Sequence, residues 1–144
     1  MKLRYLHLPP TQVPPALDIQ PYKLIIVAEE DVPAEWRDEV AEWIYDIGSR
    51  YVIAWGQSCG DWHDSVDWAN LKAFDYGDIP DRDNVMTTWH AEESLSEAFW
   101  FAGFCAHHPD IELSETILLH IAESGRGEAL IAEYRESQLS EPDD

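Results

Sequence analysis

The sequence has few cysteines, few basic residues and no long apolar run. Its two cysteines, Cys59 and Cys105, are too few among 144 residues for a disulfide framework. No apolar stretch reaches the roughly 18 residues that a membrane helix needs, and the initial MKLRYLHLPP lacks the apolar core of a signal peptide. We therefore expect a cytoplasmic protein with reduced cysteines and no membrane partner.

Basic residues are scarce relative to acidic ones. Nine lysines and arginines stand against 29 aspartates and glutamates, which gives a formal net charge of -20. Phosphate binding needs a basic surface, so nucleic acid is excluded as a partner. The acidic residues are spread along the chain, which is typical of a well-solvated surface. Two more specific interpretations of the acidic residues are that they form a docking surface for a basic protein, or that the protein is an inhibitor that mimics DNA.

Several ligand-binding motifs are also missing. The first predicted turn, EED at residues 29–31, has no glycine and would repel a pyrophosphate. The aspartates of residues 74–84 do not form a calcium loop, because Met86 stands where the loop needs glycine. No Walker, CxxC or HExxH pattern occurs. No cofactor is predicted. A divalent metal is considered only because of the candidate ligands described below.

The length of 144 residues indicates one domain. Its residues are 45% hydrophobic, which is enough for a single sizeable core. We divide it into an N-terminal arm at 1–21, an αβ domain at 22–137 and a flexible acidic tail at 138–144. The arm holds five of the nine prolines and must be largely extended, although residues 4–8 could form a short strand.

Strand and helix patterns alternate four times within the αβ domain. Apolar runs predict strands at 22–28, 51–55, 85–89 and 116–122. Helices are predicted to begin at Pro33, near Ser58 or Asp61, at the Ser94–Glu97 capping box, and at Gly127. This alternation predicts a three-layer α/β domain of flavodoxin- or Rossmann-like type, whose four-stranded, mainly parallel sheet has helices on both faces. We expect the strand order 2-1-3-4, with ligands at the carboxyl edge.

One predicted helix, residues 95–106, is apolar nearly all round. Such a helix must be buried or covered by another surface. We therefore expect it to be covered either by the N-terminal arm or by a second subunit, which would make the protein a homodimer through residues 95–106.

Side chains that could support chemistry concentrate in residues 50–68, RYVIAWGQSCGDWHDSVDW. Cys59, His63 and Asp67 are spaced four apart on one helix margin, and His90 follows a neighbouring strand. These four are candidate divalent-metal ligands for a small metal-assisted hydrolase at the carboxyl ends of the second and third predicted strands. Alternatively, Cys59 near a helix N-terminus is a candidate nucleophile with His63 or His90 as its base, but no oxyanion hole can be identified.

Other polar and aromatic residues suit a protein-binding surface. They lie on the predicted turns or away from the apolar stripes of their helices, and they are Gln57, Ser58, Trp68, Trp89, Glu92 and Trp100. His120, within the last predicted strand, is interpreted as a core histidine with satisfied hydrogen bonds. The leading hypothesis is therefore a non-enzymatic protein-interaction module of regulatory, immunity or antitoxin type. The alternatives are the hydrolase and the DNA mimic.

Two segments, AWGQSCGDWHDSVD and TTWHAEESLSEAFW, resemble those of small acidic αβ proteins of unknown function from bacteria. The resemblance covers about residues 22–123. It implies an αβ domain in a bacterial, cytosolic protein and carries over no activity and no catalytic residue.

Overall fold

The computed structural model describes residues 2–139, in which five strands alternate with four α-helices. The strands are β1 (Lys2–Leu8), β2 (Lys23–Ala28), β3 (Tyr51–Gly56), β4 (Met86–His90) and β5 (Glu115–Ile121). The helices are α1 (Ala34–Asp46), α2 (Cys59–Lys72), α3 (Leu95–Phe104) and α4 (Gly127–Leu139). All neighbouring strands are parallel, in the order β1-β5-β2-β3-β4.

The predicted α/β class, with a parallel sheet and helices on both faces, is confirmed. The predictions of four strands and of the order 2-1-3-4 are wrong, because β5 lies between β1 and β2 and because residues 2–8 add a fifth strand. Tyr5 of β1 pairs with Leu118 of β5, and Arg4 forms a 3.1 Å ion pair with Glu115. Residues 2–8 therefore belong to the sheet instead of a proline-rich arm.

Residues 9–21 contain no helix or strand and lie along α1. The main-chain carbonyls of Gln12 and Pro15 accept hydrogen bonds of 2.8 and 2.9 Å from the indole N–H groups of Trp36 and Trp43. Proline fixes an extended backbone whose carbonyls remain free to accept, which suits this packing. The segment covers α1 and not α3, which was expected to lie under either this arm or a second subunit.

Two hydrophobic layers enclose the sheet. Alternate residues of β2 point to opposite faces, so that Ile26 packs in the cluster with α1 and α2, whereas Ile25 packs in the cluster with α3 and α4. Every residue of β2 and β5 is buried, as expected for strands in the middle of a parallel sheet. Each fully buried Ile or Leu contributes about 1.5–3 kcal/mol to folding.

The apolar helix α3 is covered by α4 within the same chain. Its capping box is confirmed, since Ser94 and Glu97 exchange hydrogen bonds of 3.1 and 3.2 Å. The rings of Phe99 and Tyr134 pack edge to face at 5.3 Å, and the Gln138 side chain donates to the Phe99 carbonyl. Part of the apolar surface of α3 is thus covered by α4, and a homodimer through residues 95–106 stays a prediction.

Helix α4 continues to Leu139, so it includes the first two residues of the predicted tail. The rest of that tail, residues 140–144, lies outside the described residues. Each helix of the described part is too short or too polar to cross a lipid bilayer.

The turn after β3 depends on Gly56, and we predict that Gly56→Ala lowers the free energy of unfolding by more than about 2 kcal/mol. Gly56 has a φ of 101°, and an added Cβ would lie 2.0 Å from the Ala28 carbonyl oxygen. Chemical denaturation monitored by circular dichroism gives this free energy. In the control Gly60→Ala, the added Cβ would meet only Trp89 at 4.0 Å, so stability should be unchanged or slightly raised. Equal stability of the two variants would contradict the dependence of this turn on glycine at position 56.

Candidate functional site

The direction in which the sheet is wound reverses between β2 and β5. The helix after β2 packs with α2 on one face, whereas the helix after β5 packs with α3 on the other face. Adjacent strands whose connections leave on opposite faces open a crevice at their carboxyl ends, where ligands of α/β proteins usually bind. Here the crevice holds Glu29 after β2 and Arg126 after β5.

A hydrogen-bond network around His120 fills this crevice. His120 is fully buried; its Nδ1 lies 2.7 Å from the Tyr5 hydroxyl and its Nε2 lies 2.5 Å from Glu29 Oε1. Arg126 donates from Nε and Nη2 to the two Glu29 oxygens, at 3.1 and 2.8 Å. The prediction of a satisfied core histidine is confirmed. His7 adds a 2.7 Å bond between its Nε2 and the Ala122 carbonyl.

The network favours the charged form of the Glu29 carboxylate. Hydrogen bonds from Arg126, and then from His120, lower the pKa of Glu29 from 4.5 to about 2, although burial opposes the shift. Burial raises the pKa of Tyr5. The Arg126 main-chain N–H donates to the Tyr5 oxygen at 3.3 Å, so the Tyr5 proton is directed to His120. Each member of the network is paired with another, and the network therefore acts first as a lock between β1, β5 and β2.

A cavity of about 440 Å³ opens beside this lock, above the ends of β2 and β3. Glu29, Gln57 and Ser58 contribute its polar lining, and Trp55 forms part of its wall. The Ser58 hydroxyl donates to Asp31 at 2.9 Å. The structure thus places two of the predicted binding residues, Gln57 and Ser58, at the carboxyl edge.

Ser58 also lies in a sequence motif that was not among the predicted signals. Residues 56–60 read GQSCG, the G-x-S-x-G spacing of a nucleophile elbow, and they form the expected strand–turn–helix. Ser58 has a φ of 54°, which is strained for a residue other than glycine. A serine nucleophile needs a base, usually histidine, whereas the Ser58 hydroxyl donates to the Asp31 carboxylate. The turn therefore has the shape of an elbow without its histidine.

The structure does not assemble the predicted metal and cysteine sites. Cys59, the first residue of α2, is buried in the hydrophobic core between the sheet and the α1–α2 layer. The His63 ring packs against the Trp89 ring in a tilted arrangement, with the centroids 4.5 Å apart, and its Nδ1 lies 3.1 Å from an Asp64 carboxylate oxygen. Within residues 2–139, no three histidine, cysteine or acidic side chains are grouped so that they could hold a metal ion.

The alternation of β4 explains why these candidates are separated. Consecutive strand residues point to opposite faces of a sheet, so Trp89 and His90 face different layers. His90 packs on Phe101 of α3 at 4.9 Å and bonds to Glu93 at 2.9 Å. His63 lies with Trp89 on the α2 side. Asp67 accepts a 3.0 Å hydrogen bond from Thr87, and its other oxygen lies 3.6 Å from His63 Nε2. Of the four candidate ligands, the structure therefore brings His63 and Asp67 together and separates them from Cys59 and His90.

The most exposed aromatic pair lies away from the carboxyl edge. Trp68, predicted as a binding residue, is 61% exposed and its ring packs edge to face with Tyr76, 60% exposed, at 5.8 Å. Both line a groove of about 390 Å³ between α1 and α2, together with Asp38, Glu42 and Lys72. We call this the aromatic–acidic groove. Tyr76 was not predicted from the sequence, because it lies in the loop after α2 and outside any periodic pattern.

The other predicted binding residues do not join this groove. Trp89 is 53% exposed, and its ring contacts the His63 ring. Trp100 is half-buried and packs on Phe104 of α3 at 5.5 Å. Glu92 is exposed in the turn between β4 and α3.

Comparison with known proteins gives one match. A family model described as a domain of unknown function (DUF7684) matches residues 3–137. No curated protein and no solved structure matches the chain.

We predict that Glu29→Gln weakens the lock and flattens the acid dependence of stability. The Glu29 pKa is lower in the folded than in the unfolded chain, so its contribution is complete above pH 4.5 and is lost as the pH falls toward 2. Because the side chain is about one-third exposed, we expect a loss near neutral pH of about 1–2 kcal/mol. The measurement is urea unfolding across this pH range. Glu123→Gln, an exposed carboxylate at the same edge, is the control. An acid dependence equal to that of the unsubstituted protein would contradict the prediction.

Proposed function

We propose that this chain, which belongs to the DUF7684 family of domains of unknown function, is a non-enzymatic binding module. Its partner is a protein that presents a basic segment, and the segment docks in the aromatic–acidic groove. The observation that carries the proposal is the exposed edge-to-face pair of Trp68 and Tyr76 beside the carboxylates of α1.

The aromatic pair supports a cationic ligand. The face of an indole or phenol ring attracts an ammonium or guanidinium group, by about 0.5–1 kcal/mol at exposed sites and by about 2 kcal/mol or more when water is excluded. Large aromatic surfaces are otherwise buried in folded proteins, and tryptophan and tyrosine dominate binding hot spots. An arginine or lysine side chain can therefore lie against this exposed pair.

The charge around the pair favours the same ligand. The groove is lined by two carboxylates, those of Asp38 and Glu42, and by the ammonium group of Lys72. Lys72 forms a 3.0 Å ion pair with Glu42. Asp75 and Asp78 follow α2 in an exposed stretch. The chain as a whole carries -20. Such a field accelerates encounter with a basic partner and repels acidic ones.

The backbone at Tyr76 supports a role in binding. Asp75 and Tyr76 have φ values of 52° and 61°, a conformation that glycine usually occupies after a helix. The turn is closed by a 2.8 Å hydrogen bond from the Tyr76 N–H to the Leu71 carbonyl. A tyrosine in this conformation costs about 1–2 kcal/mol. The strain places the phenol ring beside Trp68, and strain of this kind is concentrated at functional sites.

We predict that Trp68→Ala weakens binding of a short synthetic arginine-rich peptide by about tenfold or more, the size of a hot-spot substitution. Isothermal titration calorimetry at low salt measures the affinity. The fold should be retained because the indole is mainly exposed. A peptide with glutamine in place of arginine should not bind, and added salt should weaken the interaction.

Trp89→Ala is the matched control, since this indole is similarly exposed but lies beside His63, outside the groove. It should leave peptide affinity unchanged. Equal losses in the two variants, or none in Trp68→Ala, would contradict docking in the groove. A DNA-mimicking inhibitor would bind through rows of carboxylates, so its affinity would survive the loss of a single indole.

We predict that Tyr76→Gly separates stability from binding. Glycine adopts positive φ without strain, so the free energy of unfolding should be unchanged or raised, while affinity for the arginine-rich peptide should fall. Thermal denaturation and calorimetry on the same sample provide both values. A variant that is destabilised and binds as before would assign Tyr76 to the fold alone.

A further inference from the structure

A second unusual site lies at the opposite, amino edge of the sheet, around the first residue of β2. Lys23 is only 3% exposed, and its Nζ donates a 2.5 Å hydrogen bond to the Ala102 carbonyl oxygen in α3. Lysine is almost never buried unless its charge is paired. Burial lowers the pKa of Lys23, because the ammonium form has lost water.

No carboxylate compensates this charge within the described residues. The ion pairs found there join acids to Arg4, Arg50, Lys72 and Arg126, and to histidines, but not to Lys23. The carbonyl of Ala102, in the last turn of α3, supplies only the partial negative charge of a helix C-terminus. A neutral amine donates to that carbonyl as well, and deprotonation therefore keeps the hydrogen bond while removing the buried charge.

Lys23 lines a cavity of about 370 Å³ formed by the end of α3 and the residues before β5. Its apolar wall includes Ala106 and Leu113, and three titratable side chains also line it, those of His107, His108 and Glu112. Among the described residues the Glu112 carboxylate forms no ion pair with Lys23. This volume is within the range of small-molecule pockets. The two histidines differ in their hydrogen bonds, and they can have different roles.

His108 is fixed by two hydrogen bonds. Its Nδ1 accepts from the Asp110 N–H at 3.1 Å, so Nε2 carries the proton and donates to the Asn84 carbonyl at 2.8 Å. His107 is exposed, and its Nε2 donates to the Phe104 carbonyl at 3.3 Å. Among the described residues no hydrogen bond engages its Nδ1, so that atom is open to a hydrogen bond with a molecule in the cavity.

We propose that Lys23 is a reactive amine that forms an imine with small uncharged aldehydes or ketones entering this cavity. The neutral Nζ attacks the carbonyl carbon; a C–N bond forms as the π electrons move to oxygen. A proton passes from nitrogen to oxygen, with His107 as the carrier, to give a carbinolamine. A proton from water then protonates the hydroxyl, and the nitrogen lone pair expels it as water to give an iminium ion. Loss of the N–H proton to water leaves the imine, so no net proton is consumed. This site is independent of the aromatic–acidic groove.

The test is reductive trapping with propanal and sodium cyanoborohydride at neutral pH, followed by peptide mass spectrometry. Hydride from the reagent and a proton from water convert the imine into a stable secondary amine. The chain has three lysines, Lys2, Lys23 and Lys72. Lys72 is the internal control, because its hydrogen bond to Glu42 raises its pKa. We expect Lys23 to be modified faster than Lys72, because burial lowers the pKa of Lys23 while the hydrogen bond to Glu42 raises the pKa of Lys72.

The dependence of this rate on pH distinguishes a reactive amine from a structural lysine. Modification of Lys23 should reach half its maximal rate at a lower pH than modification of Lys72. The variant Lys23→Met should lose the rapid adduct. Slower modification of Lys23 than of Lys72, or modification only in denaturant, would overturn the proposal, because a lysine that only holds the end of α3 would remain a protected ammonium.

Discussion

The pairing of β5 with both β1 and β2 is the interaction on which the other features depend. β5 contributes seven consecutive buried residues and forms parallel ladders on both of its sides. Its position determines where the winding of the sheet reverses, and thus where the crevice opens. It also buries His120, which must then find partners for both ring nitrogens inside the protein. Tyr5 and Glu29, from the two neighbouring strands, supply them.

Because of this pairing, the carboxyl edge is closed by hydrogen bonds near β5 and β2, and it opens into a cavity near β3. The Glu29–Arg126 ion pair fastens the entry to α4, whereas the cavity beside Ser58 is bordered by a turn with a positive φ. The aromatic–acidic groove lies on the outer side of the α1–α2 layer. Binding there can exploit charge and exposed rings without disturbing the lock, because the two features share no lining residue.

Particular residues show how far local patterns could predict the fold. The Ser94–Glu97 capping box and the apolar run of β2 were predicted because each signal depends on a few neighbouring positions. Strand order was predicted wrongly, since β5 pairs with residues more than 80 positions away and periodicity says nothing about such partners. The ligand set of Cys59, His63, Asp67 and His90 did not assemble, because spacing along a chain does not reveal which side of the sheet a residue faces.

The sequence by itself determined the class of the domain, its acidic character, the interpretation of His120 as a core histidine and the candidacy of Trp68. These follow from composition and from short-range patterns of apolar and polar residues. Only the tertiary structure decided that residues 2–8 join the sheet, that Tyr76 meets Trp68, and that Lys23 is buried with no ion pair to a carboxylate among residues 2–139. The reason is physical: burial and charge pairing depend on segments that are distant in sequence, and the packing of the whole chain brings them together.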